Sequence, residues 1–269
     1  MWRFVALLLA LVAGVAAAVW YYRAAPTEPP VSVVVRNDDH WLDDLQSRSP
    51  KDVERATAEL EQRGSAALPA IRRALQDPAA EPARRRAALK AAALLGPRAV
   101  ESLPDVAAAL SDPAYSPEAG LALSFMGSPA VQTLREAQHS DEPVVRREAL
   151  RALGKLRERA SIDPQLVIPL LLDGLKDSDA AVRHVAVTYL GIVRDQPAPE
   201  VAGLVTALAD SVSDVRSAAA LALSSYGSDA APAVPDLTRV STKDPDDDVK
   251  REAARALVHI AEVPGRANR

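Results

Sequence analysis

The four histidines are the side chains best suited to metal binding or acid–base catalysis, and their spacing argues against both. They are His40, His139, His184 and His259. Two metal ligands on one helix face usually stand three or four residues apart, and no two of these histidines are that close. The chain has no cysteine, which excludes thiolate ligands, disulfides and a cysteine nucleophile. The sequence therefore predicts no catalytic, cofactor-binding or metal-binding residue.

Three charged segments could in principle bind ions, one acidic and two basic. The run at 244–248, Asp-Pro-Asp-Asp-Asp, is rich enough in carboxylates to suggest calcium. It lacks the glycine and the distal glutamate of an EF-hand loop, and acidic residues are favoured at the start of a helix. We interpret it as a turn and a helix start. The basic clusters at 84–86 and 146–159 are interleaved with Ala and Leu, which indicates solvated helix faces.

The composition argues against some classes of binding partner. The formal net charge is -4 and aromatic residues make up 4% of the chain, whereas nucleic-acid-binding surfaces are basic and often use aromatic stacking. We therefore expect no nucleic-acid partner. The sequence also has no glycine-rich phosphate loop and no nucleophile elbow, so it indicates no small-molecule substrate.

A repeated pattern shows which elements must position these side chains. Each copy has an acidic turn, a Val followed by Arg or Lys, and then Ala and Leu four residues apart. The basic residue stands at 146, 183, 216 and 250, at intervals of 37, 33 and 34 residues. A period of this length is typical of a solenoid, in which no unit can bury its apolar face alone.

The pattern predicts two helices in each unit. The first, the A helix, carries the Ala-x-x-x-Leu pair on one face, because residues four apart share a face. The second, the B helix, has a proline in its first turn, where a missing N–H costs little; examples are Pro69, Pro104 and Pro169. Glycines near the ends of the A helices, among them Gly154 and Gly191, are expected to cap them in a left-handed conformation.

This pattern resembles the HEAT-repeat family, in particular the short bacterial HEAT-like repeat known from phycobilin lyases. The acidic turn, the Val-Arg pair, the Ala-x-x-x-Leu pair and the proline of helix B carry the resemblance, over residues 39–263. It implies an all-α fold, a right-handed α-solenoid of about six helix pairs. We place this solenoid at residues 38–263 and a C-terminal tail at 264–269.

The resemblance also implies roles for particular residues. A ladder of Asp and Arg or Lys side chains should join adjacent repeats through charge-assisted hydrogen bonds. Its expected members are Asp177, Arg183, Asp210, Arg216, Asp244 and Lys250. In the family geometry the B helices line the concave side, so a protein partner should meet their exposed positions. These are Arg72, Asp105, Asp173, Thr206 and Arg239.

The amino terminus differs from the repeats. Residues 4–22 are continuously apolar, and a helix of that length would rise about 28 Å, close to the ~30 Å of a hydrocarbon core. Aromatic residues stand at both ends, as at Trp2 and Tyr22. We therefore predict a transmembrane anchor at 1–23, a Pro-rich linker at 24–37, and a single-pass membrane protein with its repeats in the periplasm. The alternative is a cleaved signal peptide and a secreted protein.

These features predict a membrane-anchored, non-enzymatic scaffold that binds a protein partner through its repeats. The alternative is a bilin lyase-like or chaperone-like modifying subunit, which the resemblance to the phycobilin-lyase repeat suggests. Proteins of that kind act on chromophores in the cytoplasm, so the predicted anchor counts against this alternative.

Overall fold

The computed structural model describes residues 39–159 and 162–262, and the structural statements that follow concern these residues. The chain divides into two compact units, residues 1–38 and 39–269, and the described residues all belong to the second. Within them every regular element is a helix and there is no β-strand.

The helices alternate between two types along the chain. A short helix, α1 (His40–Asp44), comes first. The A helices are α2 (Pro50–Arg63), α4 (Pro82–Leu95), α6 (Ser116–Met126), α8 (Pro143–Arg159), α10 (Ala180–Val193), α12 (Ser213–Ser224) and α14 (Asp247–Glu262). The B helices are α3 (Leu68–Gln76), α5 (Leu103–Leu110), α7 (Ala130–Ala137), α9 (Pro164–Gly174), α11 (Pro197–Ala207) and α13 (Val234–Lys243). The described residues thus contain six A–B pairs and one further A helix.

The core lies between the stacked helices. Each A helix packs on the next A helix, and each B helix packs on the A helix that follows it in the chain. The repeated alanine is buried in every A helix, at Ala56, Ala88, Ala119, Ala149, Ala186, Ala219 and Ala253. The leucine four residues later is also buried at Leu60, Leu123, Leu153, Leu190 and Leu223. Small alanines let the helix axes approach, and the leucines fill the space between layers.

Glycine has two separate roles in the A helices. Four glycines have positive φ angles and follow the ends of A-helix segments, namely Gly64, Gly96, Gly127 and Gly227. The prediction that Gly154 and Gly191 are caps is wrong, because both lie inside their helices. A Cβ on Gly154 would lie 2.1 Å from the ring of Tyr189, and one on Gly191 would lie 2.8 Å from Cβ of Ala222. These two glycines therefore permit close packing of neighbouring A helices.

The prolines of the B helices also divide into two groups. Pro69 and Pro104 lie at the start of α3 and α5, as the sequence predicts. Pro169 lies inside α9, which begins earlier, at Pro164. The prediction for Pro169 is wrong because Asp163 supplies an earlier helix start: its carboxylate accepts a hydrogen bond from the backbone N–H of Gln165 at 2.9 Å.

The prediction of a membrane anchor has to be corrected. Across residues 39–159 and 162–262, no helix combines the length and the apolar character that crossing a bilayer requires. The predicted helix at 4–22, the linker at 24–37 and the tail at 264–269 lie outside the described residues. A transmembrane helix, a single-pass membrane localisation and membrane association are therefore not supported.

Candidate interaction surface

Three ion pairs join consecutive repeats at the start of the A helices. The pairs are Arg146–Asp177, Arg183–Asp210 and Arg216–Asp244. In each, the guanidinium donates two hydrogen bonds to the carboxylate; Arg183 does so through Nε at 2.6 Å and Nη2 at 2.9 Å. The arginine of one repeat thus binds the acidic turn of the next, in the bidentate geometry that makes such pairs strong.

The same arginine is also bonded within its own repeat. Arg183 donates through Nη1 to the backbone carbonyl of Asp177 at 2.8 Å, while Asp210 accepts a further hydrogen bond from the backbone N–H of Val212 at 2.9 Å. The hydrogen bond from Arg183 lowers the pKa of Asp210 and prevails over burial, which acts in the opposite direction. Because each charge is already paired, we assign the ladder to the register of the repeats.

Lys250 occupies the ladder position of α14 but makes a different contact. Its Nζ donates to Asp247 at 2.8 Å, within the first turn of the same helix. The pairing therefore extends through the three arginines and stops at this lysine among the described residues.

The five B-helix residues expected to meet a partner are mostly bound to neighbours. Arg72 donates to Asp105 at 2.8 Å, so these two residues lie together and form a bridge between α3 and α5. Asp173, Thr206 and Arg239 are on separate B helices and bond to residues three or four positions away, namely Lys176 at 3.4 Å, Ala202 at 3.2 Å and Asp236 at 3.0 Å. The structure brings together only the first two of the five.

Large exposed apolar side chains lie mainly on the A helices. Of the eight among the described residues, six belong to A helices and two, Leu166 and Val234, to B helices. We call the six the A-helix row: Leu94, Leu121, Phe125, Ile192, Leu221 and Val258. Five of them stand two or six positions after the buried alanine of their helix. Positions four apart share a helix face, so these side chains follow one another across the stack.

A cationic section interrupts the A-helix row at α8. The two equivalent positions of this helix are Arg151 and Lys155. Arg151 donates to the buried Glu148 at 3.2 Å, and the guanidinium of Arg159 lies 4.1 Å from the ring centroid of Phe125. At this distance a cation–π contact is favourable. These positions are thus apolar at α6, basic at α8 and apolar again at Ile192 of α10 and Leu221 of α12.

A groove of about 800 Å³ lies along α10 and α12 and reaches α14. Ile192 and Leu221 form its large apolar side chains, and they are 42% and 61% exposed. Asp214 of α12 and Glu252 of α14 contribute its acidic groups, and His184 also lines it. The groove combines an exposed apolar surface with negative charge.

A buried polar network supports the helices beneath this groove. The hydroxyl of Tyr226 donates to the backbone carbonyl of Leu190 at 2.7 Å and lies 3.0 Å from Oε2 of Glu200. Glu200 also accepts backbone N–H bonds from Asp195 and Gln196, each at 3.2 Å. Burial raises the pKa of Glu200 despite these hydrogen bonds. The network connects α10, the start of α11 and the turn after α12.

Sequence reasoning missed the A-helix row because it assigned the partner to the B helices. A signal was present: apolar residues occupy A-helix positions that should be polar if that face met only water. Ile192 and Leu221 are the clearest cases. Within residues 39–159 and 162–262, no group of three or more His, Asp or Glu side chains is arranged to hold a metal ion.

Comparison with protein families matches the repeats directly. The model described as HEAT repeats matches residues 168–258, and the model described as PBS lyase HEAT-like repeat matches residues 145–177. Residues 145–258 thus carry HEAT-like repeats, which confirms the family resemblance. Its repeats form a scaffold of a kind compatible with protein interaction. Among curated proteins, no relative matches the chain.

One solved structure shares the fold over part of the chain, and two others show a weaker likeness. A chain of the complex of CpcE and CpcF of phycocyanin lyase from Nostoc sp. PCC7120 matches with a TM-score of 0.50 and 22% identity, covering 58% of this chain and 98% of that one. An engineered protein matches with a TM-score of 0.47 and 21% identity, over 84% of this chain and 68% of its own. A computationally designed armadillo repeat protein for modular peptide recognition matches with a TM-score of 0.44 and 19% identity, over 82% and 98%.

Proposed function

We propose that this protein is a non-enzymatic scaffold that binds a protein partner along the A-helix row. The observation that carries the proposal is the concentration of exposed apolar side chains on the A helices, six against two on the B helices. Exposed apolar side chains concentrated on one set of helices in a repeat array are typical of interaction sites. The basic section at Arg151 and Lys155 would give such an interface polar contacts within its apolar area.

The polar side chains of the B helices give less support for a partner on that side. Arg72 and Asp105 already form an ion pair with each other, and a partner would have to replace that pair with contacts of equal quality. The A-helix row requires no such exchange at Ile192 and Leu221, because burial of their apolar surface is favourable in itself.

A bilin lyase-like or chaperone-like modifying subunit is the second candidate. Its support is the fold shared with a chain of the CpcE–CpcF complex. The two candidates differ in one simple measurement. A lyase-like subunit mixed with a linear tetrapyrrole should change the visible absorption spectrum of the pigment, whereas a scaffold should leave it unchanged.

Affinity capture with matched surface variants tests the scaffold proposal. The first variant combines Leu121→Ser, Ile192→Ser and Leu221→Ser in the A-helix row. The control variant combines Leu166→Ser and Val234→Ser on the B helices. All five side chains are exposed, so both variants should keep the helical circular dichroism of the wild type. We expect wild type and control to recover the same partner, identified by mass spectrometry, and the first variant to lose it.

Two outcomes would contradict the proposal. A partner lost by the B-helix control but kept by the A-helix variant would place the interface on the B helices. A capture in which wild type enriches no protein over the A-helix variant would argue against a scaffold of this kind.

A further inference from the structure

We infer that the groove along α10 and α12 binds a segment of the partner in which apolar side chains stand beside a lysine or arginine. The inference rests on the proposed scaffold function and specifies the chemistry of the partner. It is carried by three observations on the groove: its lining of small residues, its exposed apolar side chains, and an acidic group that has no partner among the described residues.

The lining of small residues reflects a difference between two equivalent helix contacts. Between α8 and α10, the ring of Tyr189 packs on Gly154 so closely that a Cβ on this glycine would lie 2.1 Å from the ring. Tyr189 stands three positions after the buried alanine of α10. The corresponding residue of α12 is Ala222, which faces Gly191. Because an alanine methyl replaces the ring, no ring occupies this position between α10 and α12, and Gly191 and Ala222 line the groove.

Small side chains line much of the groove. They are Thr188, Gly191, Ser217, Ala218, Ala222 and Ser225. Ile192 and Leu221 also line it and remain exposed. Small residues beside exposed apolar side chains can accept bulky apolar groups of a partner, as in peptide recognition by helical grooves.

The acidic groups decide which charge the partner should carry. Asp214 lies in the first turn of α12 and is exposed, and among residues 39–159 and 162–262 no side chain makes a hydrogen bond or ion pair with its carboxylate. Glu252 accepts a hydrogen bond from Arg255 at 2.6 Å and contributes less free charge. A lysine or arginine of the partner would complement Asp214, whereas an acidic residue would be repelled.

Selection from a displayed library of random dodecapeptides on the immobilised full chain tests this inference. Wild type should enrich peptides that carry a Lys or Arg next to apolar residues. Asp214→Lys should shift the enriched charge from basic to acidic, and Leu221→Ser should weaken the best wild-type peptide about tenfold in fluorescence anisotropy. Leu166→Ser, which removes an exposed leucine from a B helix, should leave selection and affinity unchanged.

The result also separates this inference from the scaffold proposal. Wild-type selection without a basic and apolar preference, including selection of no peptide class, would overturn the inference. So would a preference that Asp214→Lys and Leu221→Ser both leave unchanged. If affinity capture still depends on the A-helix row in that case, the scaffold proposal stands and the partner binds elsewhere on the row.

Discussion

The repeats from α8 to α14 and those from α2 to α7 share one type of core but differ in how their turns are connected. The later repeats carry the bidentate ladder, in which Arg183 and Asp210 are only 13% and 9% exposed. The earlier repeats have Arg72 and Asp105 as an inter-helix pair, and there the arginine is 44% exposed. Solvent screens such a pair, so the two halves should depend on ionic contacts to different degrees.

This difference between the two halves separates the feature that they share from the feature that only the later half has. The buried Ala and Leu positions continue through both halves, whereas the ladder does not. The family models match only the later part, residues 145–258 taken together. The ladder therefore coincides with the repeats that the family models match, whereas the buried Ala and Leu positions are common to both halves.

Core truncation should have the largest effect and should not distinguish the halves. Leu190 and Leu123 are both fully buried. Either substitution to alanine should cost about 2–5 kcal/mol, since it removes apolar contacts and leaves a cavity. Urea unfolding followed by circular dichroism measures this. A loss at Leu190 with none at Leu123 would show that the earlier core contributes less than its burial indicates. Leu190→Asp should unfold at least the neighbouring repeats.

Removal of one ladder carboxylate should distinguish the halves clearly. Asp210→Ala leaves the charge of Arg183 partly buried and unpaired, so we expect a loss of about 2–3 kcal/mol. The matched change in the earlier half, Asp105→Ala, should cost about 1 kcal/mol or less, since Arg72 can turn to water. Equal losses in urea unfolding would remove the contrast drawn between the two kinds of pair.

A methyl group added at Gly154 should destabilise by about 1–3 kcal/mol through overpacking against the ring of Tyr189. A double-mutant cycle isolates the cause. In a Tyr189→Ala background the same Gly154→Ala change should cost clearly less, because the ring is absent and only Cβ of residue 189, 2.8 Å away, remains to be displaced. A penalty of the same size in both backgrounds would indicate strain in α8 itself.

The dependence of stability on pH should be the smallest effect, and the ladder aspartates and Glu200 should shift stability in opposite directions as the pH falls. Hydrogen bonds from the ladder arginines lower the pKa of Asp210 and Asp244. Their stabilisation is therefore present above the ordinary Asp value of about 3.9 and is lost as pH falls below it. Burial raises the pKa of Glu200, so its protonation should stabilise the fold as pH falls from neutral toward about 4.3.

Melting temperatures measured from pH 7 to pH 3 test both predicted effects of pH on stability. Glu200→Gln should remove the rise on mild acidification, and Asp210→Asn should reduce the fall in strong acid. A wild-type profile that declines steadily from neutral pH would contradict the assignment to Glu200.

The sequence predicts the repeat unit well, but it predicts poorly how neighbouring repeats pack on each other. The period of the acidic and basic residues predicts helix pairs. It does not predict which carboxylate Arg183 binds, because that depends on how the repeats stack. Arg183 binds Asp210, 27 residues later, and not the carboxylate of Asp177. The sequence predicts a cap at Gly154 because a glycine that ends a helix and a glycine that makes room for a neighbouring ring cannot be distinguished by sequence alone. The row at Ile192 and Leu221 was missed because the family geometry directed attention to the B helices.

The fit of Tyr189 on Gly154 determines what a change in the length of the array would do. The three ladder pairs are interchangeable, since α8, α10 and α12 each offer an arginine to the next acidic turn. The contact between the ring and the glycine is specific to its place in the array. Duplication of the α10–α11 repeat would place a second copy of Tyr189 against Gly191, where a glycine again admits a ring. Deletion of that repeat would set Ala222 against Gly154, the kind of contact that Ala222 already makes with Gly191. By this contact, a longer array would gain a ring between neighbouring A helices, and a shorter one would lose it.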